Sequence, residues 1–315
     1  RTASEMLESA GYSRLSEAEE WALEPGRGYY VTRNGSSVIA FRAPKNLDAG
    51  FMISAAHCDS PCFKLRENTE VAGKSFTQLS AEVYGGMIYS TWLDRPLGVA
   101  GRVLVKSGEG IESRLVDFKE PVCLIPNVAI HMNRSVNKDT NYNPAVDLQP
   151  LYSLAREEKT FRSRVALLAG VSEEELLGFD LYLYNPQEPT EWSDFISAPR
   201  LDDLQCAYAS LRAFLDSETG ASVPVCAIFD NEEVGSRTKQ GAASTFLKSV
   251  LCRVSGALGL DFDTSVARSL MLSCDNAHSV HPNHPEYADK NHAPVIGGGI
   301  VIKFNAAQSY ASDGV

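Results

Sequence analysis

The chain has 315 residues, of which 44% are hydrophobic and 22% charged, with a formal net charge of −11. This composition is typical of a globular protein and provides more length than one average domain needs. The acidic balance argues against nucleic acid or an anionic membrane as the main partner, and no segment resembles a membrane span or a secretory signal. The seven cysteines are scattered, which is typical of reduced thiols and predicts a cytoplasmic location.

The first predicted elements are a helix, a hairpin and a buried strand. Residues 2–5 (TASE) fit a capping box that opens a helix. Asn34-Gly35 lies between two β-rich runs and predicts a hairpin with a two-residue turn, because this pair tolerates the positive φ angles of such turns. The apolar run 51–56 predicts a buried strand that leads directly into His57-Cys58-Asp59.

From about residue 71 to 185 the chain becomes rich in glycine pairs, short β-rich runs and polar turns, with one helical patch near 172–175. This character predicts an inserted, mostly β domain. Strands and helices then alternate again. A helical period follows Asp203, and we predict a buried strand over 223–229, a helix over about 242–258 and a strand over 269–273. The alternation indicates an α/β sheet with helices on both faces.

Acidic and imidazole side chains follow the C-terminal ends of the predicted buried strands. They are His57 and Asp59, then Asp230, Glu232 and Glu233, and finally Asp275 and His278. Ligands of open α/β sheets bind outside the carboxyl ends of strands, so these groups are expected to converge on one crevice. One interpretation is that His57 is a metal ligand and Asp59 the partner that fixes its tautomer. The more frequent case for this pattern is a histidine at a strand end that is only hydrogen-bonded.

The adjacent carboxylates of Glu232 and Glu233 would repel one another unless a cation or a shared proton lies between them. One of them can bind a metal while the other takes a proton from water. A solvated acidic loop is the more frequent case for such a pair. The apolar strand before it and the Val234-Gly235 turn after it favour a functional site.

Two further segments could contribute oxygen ligands. Asp275 is a plausible ligand after the third strand, and His278 could face a substrate. Asp202 and Asp203 stand at a predicted helix start, where capping and a ligand role are both open. Other chemistries are weaker, because the sequence has no GxSxG, P-loop or strand-linked GxGxxG motif.

An ordered set of segments resembles the M18 metallopeptidases, the aspartyl aminopeptidase group. The segments are 54–61, 82–86, 91–95, 125–131, 199–202, 230–236 and the stretch from 275 to 310. Together they follow the family's order over nearly the whole chain. The resemblance implies an α/β metallopeptidase sheet interrupted by an inserted β-rich dimerisation domain. Residues 1–66 and 197–315 would form the catalytic domain, and residues 67–196 the insert.

The resemblance also implies a site with two divalent metal ions, usually zinc, with cobalt or manganese as alternatives. Its implied members are the metal ligands His57, Asp202 (bridging), Glu233 and Asp275, the general base Glu232, and Asp59 behind the site. A further ligand in the family is a histidine near the C-terminus. No histidine follows His292 in the sequence, so the second metal site is expected to be incomplete in it.

The resemblance assigns substrate contacts to His278, Lys303 and Tyr310, and Lys303 could pair with an acidic side chain. His131 matches a histidine that reaches the active site of a neighbouring subunit. The implied assembly is a dimer that builds a tetrahedral dodecamer.

The implied function is that of a metal-dependent aminopeptidase, which removes N-terminal residues from peptides and prefers acidic ones. Two alternatives stay open at this point. One is a catalytically idle assembly or cargo protein on the same fold, and the other is a metal-dependent deacylase.

Overall fold

A computed structural model describes residues 1–45, 50–155, 160–218 and 220–303 of the chain. Within these ranges the helices are α1 (Thr2–Ser9), α2 (Pro144–Asp147), α3 (Phe161–Ala169), α4 (Leu201–Asp216), α5 (Phe246–Ala257) and α6 (Phe262–Ala267). The strands are β1 (Ser13–Leu15), β2 (Gly28–Arg33), β3 (Ser37–Arg42), β4 (Phe51–His57), β5 (Cys62–Ala72), β6 (Phe76–Tyr84), β7 (Pro96–Ser107), β8 (Gly110–Asp117), β9 (Cys123–Leu124), β10 (Leu151–Leu154), β11 (Leu176–Tyr184), β12 (Thr190–Trp192), β13 (Phe195–Ser197), β14 (Val223–Phe229) and β15 (Leu270–Ser273). None of these helices is both long and apolar enough to cross a bilayer.

The first sheet has six strands in the order β1-β2-β3-β14-β4-β15. Strand β4 is parallel to β14 on one side and to β15 on the other. The register places Phe229 beside His57 and Ser273 beside Ala55. The carboxyl ends of β4, β14 and β15 therefore meet at one edge of the sheet.

Helices cover both faces of this sheet, as the alternation of elements predicts. Leu211 and Phe214 of α4 pack with α1 against one face, and Val250 and Val254 of α5 pack against the other. Because β4 and β14 are covered on both sides, their sequences are continuous apolar runs rather than alternating ones.

The second sheet contains β5 to β11, in the order β11-β5-β6-β10-β9-β7-β8. Strand β11 also pairs with β7, so six of the strands close into a ring and β8 extends from β7. Phe63, Leu79 and Val103 are buried in its core, against which Phe161 and Val165 of α3 pack. Closure leaves few unpaired strand edges. The first strand of this sheet begins at Cys62; the boundaries 67–196 and the dimerisation role stay predictions.

The first hairpin and the start of helix α1 differ in detail from the sequence expectations. The hairpin of β2 and β3 is present, and Asn34 and Gly35 have φ angles of 55° and 68°. Because Arg33 pairs with Ser37, the loop has three residues rather than two. The predicted capping box is wrong, since α1 begins after Arg1, and the Glu5 side chain bonds to the Arg1 guanidinium.

Three other expectations need correction. The predicted helical patch at 172–175 is a turn. The helix α3 precedes it and ends at Ala169, and the next residue, Gly170, has a left-handed backbone conformation. Helix α5 begins at Phe246 rather than near 242, because the preceding segment folds back and Ala243 N donates to Ser236 O. Strand β15 is exposed rather than buried, since within the described residues it pairs only with β4 at the edge of the sheet.

A charged contact joins three strands of the closed sheet. The Asp180 carboxylate on β11 accepts hydrogen bonds from Lys64 Nζ on β5 (2.7 Å) and Arg102 Nη2 on β7 (3.0 Å). Burial opposes ionisation of Asp180, but these two hydrogen bonds and the two positive charges outweigh it and lower its pKa.

We expect Asp180→Asn to destabilise the protein by about 1 kcal/mol at pH 7, a modest value because solvent screens this half-exposed contact. Since the folded-state pKa lies below the unfolded value, the contribution is complete above about pH 4 and is lost as the pH falls through the folded pKa. The thermal midpoint of the variant should therefore lie about 2 °C below that of the wild type at pH 7. The gap should shrink as the pH is lowered from 5 to 3, and a gap that widens would contradict this account.

Candidate metal centre

Four short segments meet at the carboxyl edge of the six-stranded sheet. His57 is the last residue of β4, Glu232 and Glu233 form a 3-10 turn after β14, and Asp275 follows β15. Asp202 and Asp203 lie in the first turn of α4, where both have non-helical backbone angles. Ser60 Oγ donates a hydrogen bond to the Asp202 carbonyl (2.9 Å), which joins the chain leaving β4 to the chain entering α4.

The imidazole of His57 is buried and faces carboxylates. Its Nε2 is 3.4 Å from Asp202 Oδ1 and 3.9 Å from Asp275 Oδ1. Its backbone N–H donates to Asp203 Oδ2 (3.1 Å). One ligand atom each of His57, Asp203 and Asp275 lies within 4.8 Å of the others, a spacing compatible with one cation.

A second group of possible ligands shares His57. Ligand atoms of His57, Glu232 and Glu233 also lie within 4.8 Å of one another. The structure thus brings together His57, Glu232, Glu233 and Asp275, which the sequence places at three separate strand ends.

Asp59 holds the other side of this arrangement. His57 Nδ1 is 3.1 Å from the Asp59 carbonyl oxygen and 3.4 Å from its Oδ1, so Nε2 is the nitrogen that faces the carboxylates. The Asp59 carboxylate also accepts hydrogen bonds from the backbone N–H groups of Glu232 (3.1 Å) and Glu233 (3.2 Å). Burial alone would raise the pKa of Asp59, but its hydrogen bonds, that of His57 first, lower it.

Crowding of negative charge changes two further pKa values. Burial raises the pKa of Glu233 to about 7, and the charge of Glu232 adds to this effect. Burial opposes protonation of His57, but its hydrogen bond to Asp59 and the charges of Asp203, Asp59 and Glu232 outweigh it and raise its pKa to about 9. Both shifts indicate a site that lacks positive charge.

The donor set fits a divalent cation. Asp203 is fully buried, and among the described residues its Oδ1 has no hydrogen-bond partner. An unpartnered buried carboxylate oxygen is costly unless a cation or donor satisfies it. One imidazole with several carboxylates suits zinc, and also cobalt or manganese. Cys58 does not compete as a ligand or nucleophile, because burial raises its pKa to about 12 and keeps it a thiol.

The predicted substrate residues differ in their contacts with the His57 cluster, which consists of His57, Asp59, Asp202, Asp203, Glu232, Glu233 and Asp275. Lys303 Nζ donates to Asp275 Oδ2 (3.2 Å) and to the Asn276 carbonyl (2.9 Å). His278 and His131 are exposed, and no hydrogen bond or ion pair among the described residues links their side chains to the cluster. Tyr310 lies outside the described residues.

The structure adds residues that sequence reasoning did not assign. Asp203, which the resemblance does not assign to the site, is the buried carboxylate that contacts the His57 backbone. Tyr84, the last residue of β6 in the other sheet, bonds to Asp59, and Gly85, which follows it, approaches Glu233. Their motif was visible in the sequence, but no local pattern links it to a strand end of a different sheet.

One imidazole and a group of carboxylates at the carboxyl ends of parallel strands define a metal-binding site of the α/β class. The family model described as aminopeptidase I zinc metalloprotease (M18) matches residues 1–315. A probable M18 family aminopeptidase 2 from Clostridium novyi is 40% identical over 330 residues, covering 99% of this chain and 76% of that protein.

Solved structures agree with this match. A chain of the Ape4 and Nbr1 complex superposes with a TM-score of 0.92 at 32% identity, covering 98% of this chain and 65% of that one. The mApe1 dodecamer of S. cerevisiae gives a TM-score of 0.80 at 32% identity, covering 93% of this chain and 71% of that one.

The chain belongs to the M18 family of zinc metallopeptidases. This confirms the predicted family and the α/β fold, and with them the enzyme class, metallo-aminopeptidase, and zinc as the metal that the family's description names. The chain spans about two thirds to three quarters of the length of these relatives.

We expect the protein to bind zinc through His57. His57→Ala should weaken zinc binding by more than about 100-fold, since loss of an outer partner of a ligand alone costs 10- to 100-fold. Competition with a chromophoric chelator measures the affinity. His292→Ala is the matched control, because that exposed side chain bonds only to Asp289 within the described residues and should leave the affinity unchanged. Equal affinities for wild type and His57→Ala would remove His57 from the site.

Proposed function

We propose that this protein removes N-terminal residues from peptides and prefers acidic ones. Two divalent metal ions, with zinc as the preferred metal, would bind at the His57 cluster. The observation that carries the proposal is that His57 belongs to two groups of possible metal ligands. One group contains Asp203 and Asp275, and the other contains Glu232 and Glu233. Asp202, whose Oδ1 lies 3.4 Å from His57 Nε2, would be a ligand shared by the two ions.

Glu232 is the proposed general base. When bound, the two ions supply a water of lowered pKa and polarise the scissile carbonyl. Glu232 accepts the proton of that water and returns it to the leaving amine. The backbone N–H groups of Glu232 and Glu233 both donate to the Asp59 carboxylate, which holds the two residues side by side.

Lys303 is the proposed contact for an acidic N-terminal side chain. Its ammonium lies at the rim of the cluster, 3.2 Å from Asp275, and is about one third exposed. A positive charge in this position favours a carboxylate-bearing substrate. His278 and Tyr310 are proposed as further substrate contacts.

We also propose that the protein assembles with copies of itself, as a dimer that builds a tetrahedral dodecamer. Support comes from the mApe1 dodecamer, which shares 32% identity with this chain. The segment before and after His131 exposes Val128, Ile130 and Met132, apolar side chains that a neighbouring subunit could cover. In this arrangement the residues 67–196 form the dimerisation domain and His131 contributes to the neighbour's site.

A cytoplasmic location is part of the proposal. All seven cysteines are free thiols, which suits a reducing compartment.

We expect the protein to release N-terminal Asp or Glu from peptides and to lose this activity on treatment with a chelator. Glu232→Gln should lower kcat by about 10²- to 10⁴-fold, the usual contribution of a general base, while zinc content stays unchanged. Activity that survives both changes would overturn the proposal.

The same assay separates the two alternatives. Hydrolysis of N-acylated amino acids without release from free N-termini would identify a deacylase. A protein that assembles but holds no metal and turns over neither substrate would be the idle assembly or cargo protein.

We expect Lys303→Met to reduce kcat/KM for peptides that begin with Glu by roughly 10- to 100-fold, the value of a hydrogen bond to a charged group. Peptides that begin with Leu should change little, so the ratio of the two specificity constants is the measurement. The exposed Lys290→Met serves as the control for loss of a surface charge. A ratio that is the same in wild type and Lys303→Met would remove Lys303 from substrate selection.

A further inference from the structure

The last residues of β6 belong to the closed sheet but reach the carboxyl edge of the other sheet. We propose that Tyr84 and Gly85 are positioning residues that fix Asp59 and Glu233 for metal binding. This inference rests on the proposed function, because it assumes that Glu233 and His57 hold a metal ion.

Tyr84 controls Asp59 through one short hydrogen bond. Its hydroxyl donates to Asp59 Oδ2 at 2.6 Å and accepts from Asn231 Nδ2 at 2.8 Å. The Asn231 side-chain oxygen in turn accepts from Thr238 Oγ1 and Gln240 Nε2, both at 2.7 Å. With its oxygen satisfied by two donors, the Asn231 amide must present its N–H to Tyr84, so the Tyr84 proton points to Asp59.

The consequence of this bond passes to the metal ligands. The side chain of Asp59 is only 7% exposed, and the same carboxylate accepts from the backbone N–H groups of Glu232 and Glu233 and lies beside His57 Nδ1. A buried carboxylate keeps such a geometry only while all its donors are in place. Tyr84 therefore acts on His57 and Glu233 through Asp59. Its ring is supported in turn by Tyr182 of β11, whose centroid lies 5.7 Å away in an edge-to-face contact.

Gly85 approaches Glu233 directly. A Cβ atom at this position would lie 2.9 Å from Glu233 Cβ and 3.2 Å from its carbonyl oxygen. The φ angle of Gly85 is +74°, a left-handed value that side chains also disfavour. A residue with a side chain at this position would displace the Cβ or the carbonyl oxygen of Glu233, so Gly85 allows Glu233 to keep its position.

The first test compares Tyr84→Phe with Tyr184→Phe. Each variant removes one tyrosine hydroxyl that donates to an aspartate, and the Tyr184 hydroxyl donates to Asp117 (2.9 Å), which is not among the cluster residues. We expect Tyr84→Phe to weaken zinc binding about 10-fold, the lower end of the effect of losing a direct partner of a ligand, because Tyr84 acts through Asp59. The visible absorption of the cobalt-substituted protein should also change, because it reports the geometry of the ligands. Tyr184→Phe should change neither measurement.

The second test compares Gly85→Ala with Gly108→Ala. Both glycines have positive φ angles, but a Cβ at Gly108 would meet no atom within 4 Å among the described residues. The two variants therefore share the backbone strain, and only Gly85→Ala presses on Glu233. We expect Gly85→Ala to weaken zinc binding by at least about 10-fold, while Gly108→Ala binds as the wild type does. Thermal midpoints of the metal-free proteins show whether each variant is folded.

The outcomes distinguish this inference from the function on which it rests. If the wild type binds zinc and neither Tyr84→Phe nor Gly85→Ala weakens that binding, the positioning role is overturned and the proposed function stands. A wild type that binds no zinc overturns the proposed function and the positioning role together.

Discussion

The parallel pairing of β4 with β14 and β15 is the constraint on which the rest of the molecule depends. Three strands that run in the same direction end at the same edge, so the residues that follow them meet without long loops. An antiparallel neighbour would send its final residues to the opposite edge. The pairing also requires helices on both faces to cover the apolar strands, which α4 and α5 provide.

The chemistry at this edge is governed by the repulsion between carboxylates. Asp59 lies closest to donors and remains ionised, whereas burial and the neighbouring charge raise the pKa of Glu233 to about 7. Asp203 is buried with one oxygen that no described residue satisfies. Such a cluster stores an electrostatic preference for a cation within the fold, and this preference comes from backbone placement rather than from any single ligand.

The residues of this site that could be predicted from sequence are those that lie next to a recognisable apolar run in the chain. His57, Glu232, Glu233 and Asp275 each follow a recognisable apolar run, so strand ends and their side chains could be predicted together. The contact of Gly85 with Glu233 could not, because it depends on how two sheets pack. Among the described residues β15 lies at the edge of the sheet, which could not be predicted because an apolar run does not tell a central strand from an edge strand. The closure of β7 onto β11 depends on long-range register in the same way.

The hydrogen bond from Ser60 to the Asp202 carbonyl has a consequence for how the molecule folds. It joins the chain that leaves β4 to the chain that enters α4, so the whole closed sheet lies in one loop between them. Closing so long a loop costs conformational entropy, and this cost arises before the contacts at its ends can stabilise the protein. A ribosome delivers His57 early and Asp202 only after that loop has been synthesised. We expect the intervening sheet to fold first and bring the two ends together, so that the metal centre is among the last parts of the protein to form.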